Sequence, residues 1–243
     1  MSNIIKESIE KSLREGEIYL VYQPKYDLED GNIESLEALI RWRKEGNNVP
    51  PNLIIEEAEK SNVILELGKY VIHEVCKQQK EWKSKNIDIK RVDINVSIKN
   101  LRDKGFVNYL DSTIAEYGLK RSDIGIEITE RKKYENRKET NRNIKELNKK
   151  GYKLMIDDFG KGYNKEEYLI GLDVENVKVE LQELVKEDIQ EGLKKYKSVT
   201  VERIENKEEE DYVKEKGFRY VQGYYYSKPL EKREIEKKLK ERG

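Results

Sequence analysis

The chain has one cysteine and one histidine in 243 residues, and no excess of charge of either sign. With Cys76 alone, no intrachain disulfide can form. The thiol sits in an apolar helical stretch with Val71, Ile72 and Val75, a setting for a core residue rather than a nucleophile. His73 lies in the same stretch and reads as a surface or packing residue, so a zinc centre built on histidine and cysteine has too few ligands. Lys and Arg number 49, as do Asp and Glu, so the chain lacks the basic footprint that a duplex nucleic-acid partner demands. Mixed runs such as Glu81-Trp82-Lys83-Ser84-Lys85 read as solvated helix faces. No apolar run is long enough to span a bilayer, and the N-terminus shows no secretory pattern. A reducing, cytoplasmic setting is the expectation.

Apolar residues make up 36% of the chain, and they cluster instead of dispersing, which separates it from a disordered, charge-rich polymer. Short apolar runs fall near Tyr19–Gln23, Ile33–Arg41, Val92–Val96, Gly125–Thr129, Leu154–Asp157, Asn176–Val179, Val199–Glu202 and Tyr220–Tyr225. Several are nearly continuous and β-branched, as in buried parallel strands. Amphipathic helical patterns alternate with them, at Ile54–Ser61, Leu67–Lys85, Val107–Tyr117, Thr140–Lys150 and Glu208–Lys216. Gly118, Gly151 and Gly217 follow three of these, where left-handed caps are expected. The alternation predicts an α/β fold, a TIM-like (β/α)8 barrel. The first connection, Tyr26 to Asn32, is too short for a crossover helix and contains Asp30-Gly31, so the first strand should run antiparallel to the second. We find no linker or repeat and expect a single domain over 1–243, with an N-terminal helix in 1–15 and a C-terminal helix in 231–243 packed outside the barrel.

Polar residues recur at or just past the strand ends: Glu37, Asn95, Glu127, Asp157, Asp158, Lys178, Glu202, Glu205 and Gln222. A buried acid is costly unless it is paired or binds a cation. Acids on several strands of one barrel converge at the strands' C-terminal ends, where barrel active sites form. Carboxylate and amide oxygens suit Mg2+ or Mn2+, and adjacent aspartates allow one carboxylate to bridge two ions that polarise a phosphoryl group. Lys178 would orient the attacking water or balance phosphate charge. A glycosidase also uses paired carboxylates, but it needs neither Asp157-Asp158 nor Asn95 with Lys178, and sugar sites usually show more tryptophan than the two present here.

These residues also carry a resemblance. Leu36-Glu37-Ala38-Leu39-Ile40-Arg41 resembles the signature of the EAL-domain family, bacterial phosphodiesterases that hydrolyse cyclic di-GMP. The likeness runs from about Glu15 to Leu230 and includes, in the family's order, Tyr22-Gln23-Pro24, Arg41-Trp42-Arg43, Asn95-Val96-Ser97, Glu127-Ile128-Thr129-Glu130, Asp157-Asp158-Phe159-Gly160, Lys178-Val179-Glu180, Glu202-Arg203-Ile204-Glu205 and Gln222-Gly223-Tyr224. It implies metal ligands at Glu37, Asn95, Glu127, Asp157, Asp158 and Glu202, holding two Mg2+ or Mn2+ ions. It implies that Lys178 contacts the nucleophilic water, that Gln222 supports the metal–water network, and that Glu130 holds the loop after the aspartates. Gln23 and Arg41, with Asn95 and Glu205, fall on the substrate side, and Arg41 reads a phosphate with its fork of donors.

The sequence departs from the family pattern at a few places. Lys161 stands where the family usually has Thr, Asn164 and Lys165 where it has Ser, Glu180 where it commonly has Asp, Leu181 for an Arg, and Arg203 for a Gly. The stretch from Lys178 to Glu202 is also shorter than usual. That predicts a truncated sixth helix beside the family's dimer surface, and so a weakened homodimer. The expected function is metal-dependent hydrolysis of cyclic di-GMP to 5′-pGpG. The alternatives are a receptor that binds cyclic di-GMP without cleaving it, or a protein-interaction module, for which Gln23, Arg41 and Lys178 would have no use.

Overall fold

The apolar runs pair into a wall that closes on itself. The computed structural model describes residues 2–129, 137–161, 173, 174 and 176–240. Its strands are β1 (Ile18–Asp27), β2 (Ile33–Lys44), β3 (Asn47–Val49), β4 (Val92–Ser97), β5 (Ile124–Thr129), β6 (Lys153–Ile156), β7 (Asn176–Glu180), β8 (Ser198–Glu202) and β9 (Tyr220–Gln222). Neighbours from β2 through β4 to β9 pair in parallel, while β1 runs antiparallel to both β2 and β9 and shuts the barrel. Eight strands form the wall, with the antiparallel first strand expected from the short Tyr26–Asn32 turn. The ninth, β3, is a flap hairpinned onto β2 across Glu45-Gly46, both at positive φ. A turn of that kind is usually marked by Asn-Gly or Asp-Gly, so Glu45 hid it in the sequence.

Helices cover the wall: α1 (Ser2–Glu15), α2 (Pro51–Lys60), α3 (Ile64–Ser84), α4 (Ile98–Arg102), α5 (Phe106–Glu116) and α6 (Arg137–Lys149). Between β7 and β8 come only α7 (Leu181–Leu184) and α8 (Glu187–Leu193), followed later by α9 (Lys207–Glu215) and α10 (Lys232–Lys240). Two short helices thus stand where the shortened sequence predicted a truncated one. Gly118, Gly151 and Gly217 adopt positive φ at helix ends, as expected. Ile94, Ile126, Ile128, Val179 and Val201 are buried between wall and helices, each contributing about 1.5–3 kcal/mol by leaving water. A second cluster, with Ile9, Trp42, Ile54 and Leu67, ties α1 and α2 to the outside of the barrel. Ile235 of α10 is fully buried, and Lys85, just after α3, bonds Glu236 at 2.9 Å.

The last strand ends three residues earlier than the sequence suggested, at Gln222 rather than Tyr225. Gly223 passes so close to Ile204 that a Cβ there would lie 2.1 Å from its carbonyl oxygen, and the chain then turns, with the Tyr225 amide donating to Ile204. Cys76 is buried, as expected, and burial pushes its thiol up to about 12. His73 sits at the surface, 2.7 Å from the Tyr117 hydroxyl.

Inside the wall, side chains stack in layers. Near the N-terminal ends of the strands, Asp93 accepts from Lys25 at 3.3 Å, Ser35 at 2.6 Å and Arg91 at 2.5 Å. Burial alone would raise this carboxyl, but Lys25 and Arg91 outweigh it and hold Asp93 far below the usual range. This satisfied ionic plug closes the floor beneath the site.

Candidate functional site

One ammonium organises the other end of the barrel. Lys178, on β7, is 1% exposed and lies 2.8 Å from Glu127 on β5, 2.9 Å from Glu202 on β8, 3.0 Å from Glu37 on β2 and 3.5 Å from Asp157 after β6. Alternation makes this possible: every second residue faces inward, and β-pairing sets Asn95 beside Glu127, and Glu202 beside Gln222. Glu37 also accepts from Asn95 at 2.8 Å and from Gln222 at 2.7 Å. Gln222 donates on to Gln23 at 3.3 Å, and Gln23 donates to the Ser227 carbonyl at 3.2 Å.

The electrostatics are unbalanced. One lysine faces four carboxylates, so the innermost cluster has a formal charge of −3 if all are ionised. Burial opposes the charge on Lys178, but Asp157, Glu127, Glu202 and Glu37 hold its proton well above the ordinary lysine range. Burial and the neighbouring Glu37 raise Glu127 well above the carboxylate range. Burial first, then Asp157 and Glu37, pushes Glu202 up to about 8; burial, then Glu37 and Asp158, pushes Asp157 up to about 6. Glu37 is also desolvated, but Lys178, Asn95 and Gln222 outweigh this and lower it.

The remaining predicted residues spread around this centre. Asp158 follows Asp157 at positive φ, with half its side chain exposed and Lys161 3.7 Å away. Arg41 is half-buried and donates to the Ile40 carbonyl at 2.7 Å. Glu205 is exposed on the rim, its amide bonded to Glu209 at 2.6 Å, and does not join the inner cluster. Glu130, Asn164 and Lys165 lie outside the described residues.

Two adjoining cavities meet over the carboxylates. One, of about 240 Å3, has Arg41, Asn95 and Asn100 in its wall; the other, of about 530 Å3, has Gln23, Lys178, Arg203, Glu205, Gln222 and Tyr224. Glu37, Asp157, Asp158, Leu39 and Asn52 belong to both. Sequence reasoning missed Leu39, Asn52 and Tyr224 as wall residues; Tyr224 could have been suspected from its place directly after Gln222-Gly223. A larger cavity of about 840 Å3 opens at the opposite end, around Lys153, Asn176, Ser198 and Tyr220. It contains no carboxylate cluster among the described residues and sits where barrels build stability rather than chemistry.

The donor set suits a hard divalent cation, being rich in carboxylate oxygen with an amide from Asn95. Among the described residues the buried Gln222 Oε1 atom has no hydrogen-bond partner, an acceptor available to a further ligand or its water. In this conformation the acids gather on the Lys178 ammonium, and among the described residues no three of His, Cys, Asp or Glu close on one point as an ion cradle.

With that geometry in view, comparison with known proteins assigns the class. The EAL domain family model matches residues 6–229, and the chain belongs to that family. The oxygen sensor protein DosP of Escherichia coli is 29% identical over 97% of this chain and 32% of its own length. The cyclic di-GMP phosphodiesterase PdeR of the same organism is 28% identical over 92% of this chain and 35% of its own. The chain thus spans about a third of the curated relatives it matches. Among solved structures, the EAL enzyme Bd1971 in its cAMP- and cyclic-di-GMP-bound form superposes with a TM-score of 0.86 at 24% identity, over 98% of this chain and 69% of that one, a likeness of fold. No described helix is long and apolar enough to cross a membrane.

Proposed function

We propose that this chain is a phosphodiesterase that hydrolyses cyclic di-GMP to linear 5′-pGpG with Mg2+ or Mn2+. The observation that carries the reading is the convergence of acids from four strand ends on Lys178, at the face of the barrel where active sites form. Membership of the EAL family supports it, as does the relative PdeR, named a cyclic di-GMP phosphodiesterase.

Glu37, Asn95, Glu127, Asp157, Asp158 and Glu202 would hold the cations, a pair by the family resemblance. Bound there, the ions would supply Lewis acidity at the phosphoryl oxygens and lower the pKa of a water. This chain's own side chains do the rest. Gln23, Arg41 and Glu205 line the cavities and orient the dinucleotide. Lys178 positions the water in line with the scissile P–O3′ bond. Gln222 anchors Glu37 and, through its Oε1, the water network. The water oxygen bonds to phosphorus, the P–O3′ bond breaks, and a proton ends on the 3′ oxygen, leaving a 5′-phosphate and a 3′-hydroxyl. Glu130 is assigned to holding the loop after the aspartates, and a homodimer, weakened by the short α7 and α8, belongs to the same reading.

A second reading, binding without cleavage, draws on one observation: the acids close on an ammonium and not on an ion cradle. One assay separates the two. Incubation with cyclic di-GMP and Mg2+ or Mn2+, with products resolved by chromatography, should yield pGpG. Binding by calorimetry with no product under either metal would leave only the receptor.

A further inference from the structure

Three residues that depart from the family pattern are joined through one carboxylate. Glu180, the last residue of β7, is buried. Its carboxylate is shared by Arg203, whose Nε donates at 2.7 Å, and by Lys161, an ion pair on its other oxygen. Lys161 also approaches Asp158 at 3.7 Å, so the group joins the segment after β6 to the ends of β7 and β8.

Arg203 is unusual in two ways. Its φ is +62°, a left-handed backbone that a long side chain rarely adopts and that tends to persist where function requires it. Although Nε is held by a buried carboxylate, 63% of its side chain remains exposed, and it makes no other ion pair among the described residues. The guanidinium is therefore anchored through Nε, and it pairs with no acid other than Glu180 among the described residues. Arg203 lines the 530 Å3 cavity with Lys178 and Gln222, whereas Arg41 lines the neighbouring one, and the carboxylates lie between the two. Glu180, Lys161 and Arg203 together have a formal charge of +1 on the rim of an otherwise acidic pocket.

We propose that Arg203, oriented by Glu180, is a substrate-binding residue that takes the non-reacting phosphodiester of the cyclic dinucleotide, while the scissile one sits over the carboxylates. The inference rests on the phosphodiesterase or receptor reading of the same site. Glu180 is then a positioning residue and Lys161 its counter-charge: with two cations on one carboxylate, the arginine keeps a surplus positive charge for an anion. A guanidinium suits this role because its donors lie in a rigid planar fork, so an anchor at one nitrogen fixes the direction of the others, whereas an ammonium is a compact point charge on a flexible stem.

The test compares wild type with Arg203→Gly and Arg203→Lys. Glycine suits a φ of +62°, so the first variant should fold, and melting curves will check it. Affinity for cyclic di-GMP is measured by calorimetry in Ca2+, and KM and kcat in Mg2+. For Arg203→Gly, affinity should weaken and KM rise about tenfold, with kcat falling less than about threefold; the salt dependence of KM should become shallower. Arg203→Lys should resemble the glycine variant more than wild type. A wild type that binds, with both variants within twofold in affinity and KM, overturns this inference alone. A wild type that binds no cyclic di-GMP under any metal overturns the reading of the site and this inference with it.

Discussion

Lys178 and Glu127 meet at 2.8 Å inside the barrel, each 1% exposed, with three more carboxylates around the same ammonium. Neither side chain has a solvent route to relieve its charge. The lysine is the counter-ion that lets four strand-end acids coexist without a metal, and a divalent cation arriving there would take over part of that role.

Removing the lysine should therefore cost stability most when metal is absent. Breaking a buried ion pair by deleting one partner costs roughly 3–5 kcal/mol. Lys178→Met is expected to lower the melting temperature markedly in EDTA and to recover part of the loss in Mn2+, while turnover stays abolished. Equal losses with and without metal would show that cation and lysine do not share these carboxylates.

The raised acids give the metal-free protein a defined pH response. Asp157 and Glu202 hold protons up to about 6 and about 8, against ordinary values of 3.8 and 4.5. The folded state thus binds more protons than the unfolded one in this window, so stability is full at low pH and is lost as pH rises through 6 and 8. Glu37, lowered instead, acts only below the ordinary carboxylate range, outside this window. Urea unfolding in EDTA should show a loss on the order of 5 kcal/mol between pH 5 and 8.5, most of it from Glu202. Metal ligands must be deprotonated, so Mn2+ affinity should rise over the same range.

Glu37 accepts from Asn95, Lys178 and Gln222 at once, so its loss should disable the centre as a unit. Glu37→Ala is expected to reduce cyclic di-GMP turnover by at least ~10^3, by analogy with the removal of groups that act as a unit. Retained turnover would mean the site lies elsewhere. Calcium should inhibit the wild type, because its larger and looser coordination fits a magnesium site poorly.

Cys76 offers a control on integrity. It is fully buried, with its thiol pushed up to about 12, so a thiol reagent at neutral pH should label it only after denaturation. Labelling of the native protein at the rate seen in urea would contradict the burial of α3 against the barrel.

Much of this was legible in the sequence because it is local. Apolar runs with polar residues at their ends marked the strands, and the short turn to Asn32 announced the antiparallel β1. The ordered motifs from Leu36 to Tyr224 named the family. A conformation fixed by backbone alone was harder to read: β3 turns on Glu45 at positive φ, and β9 stops at Gln222 because Gly223 packs on Ile204.

By itself the sequence determined the alternation of elements, and with it which residues face inward, since a strand exposes every second side chain to one side. Only the tertiary structure decided which of those charges meet. Lys178 reaches Glu37 across 141 positions, and Glu180 joins Lys161 to Arg203, because closing the barrel sets distant strand ends side by side where water is excluded and each charge must find a partner.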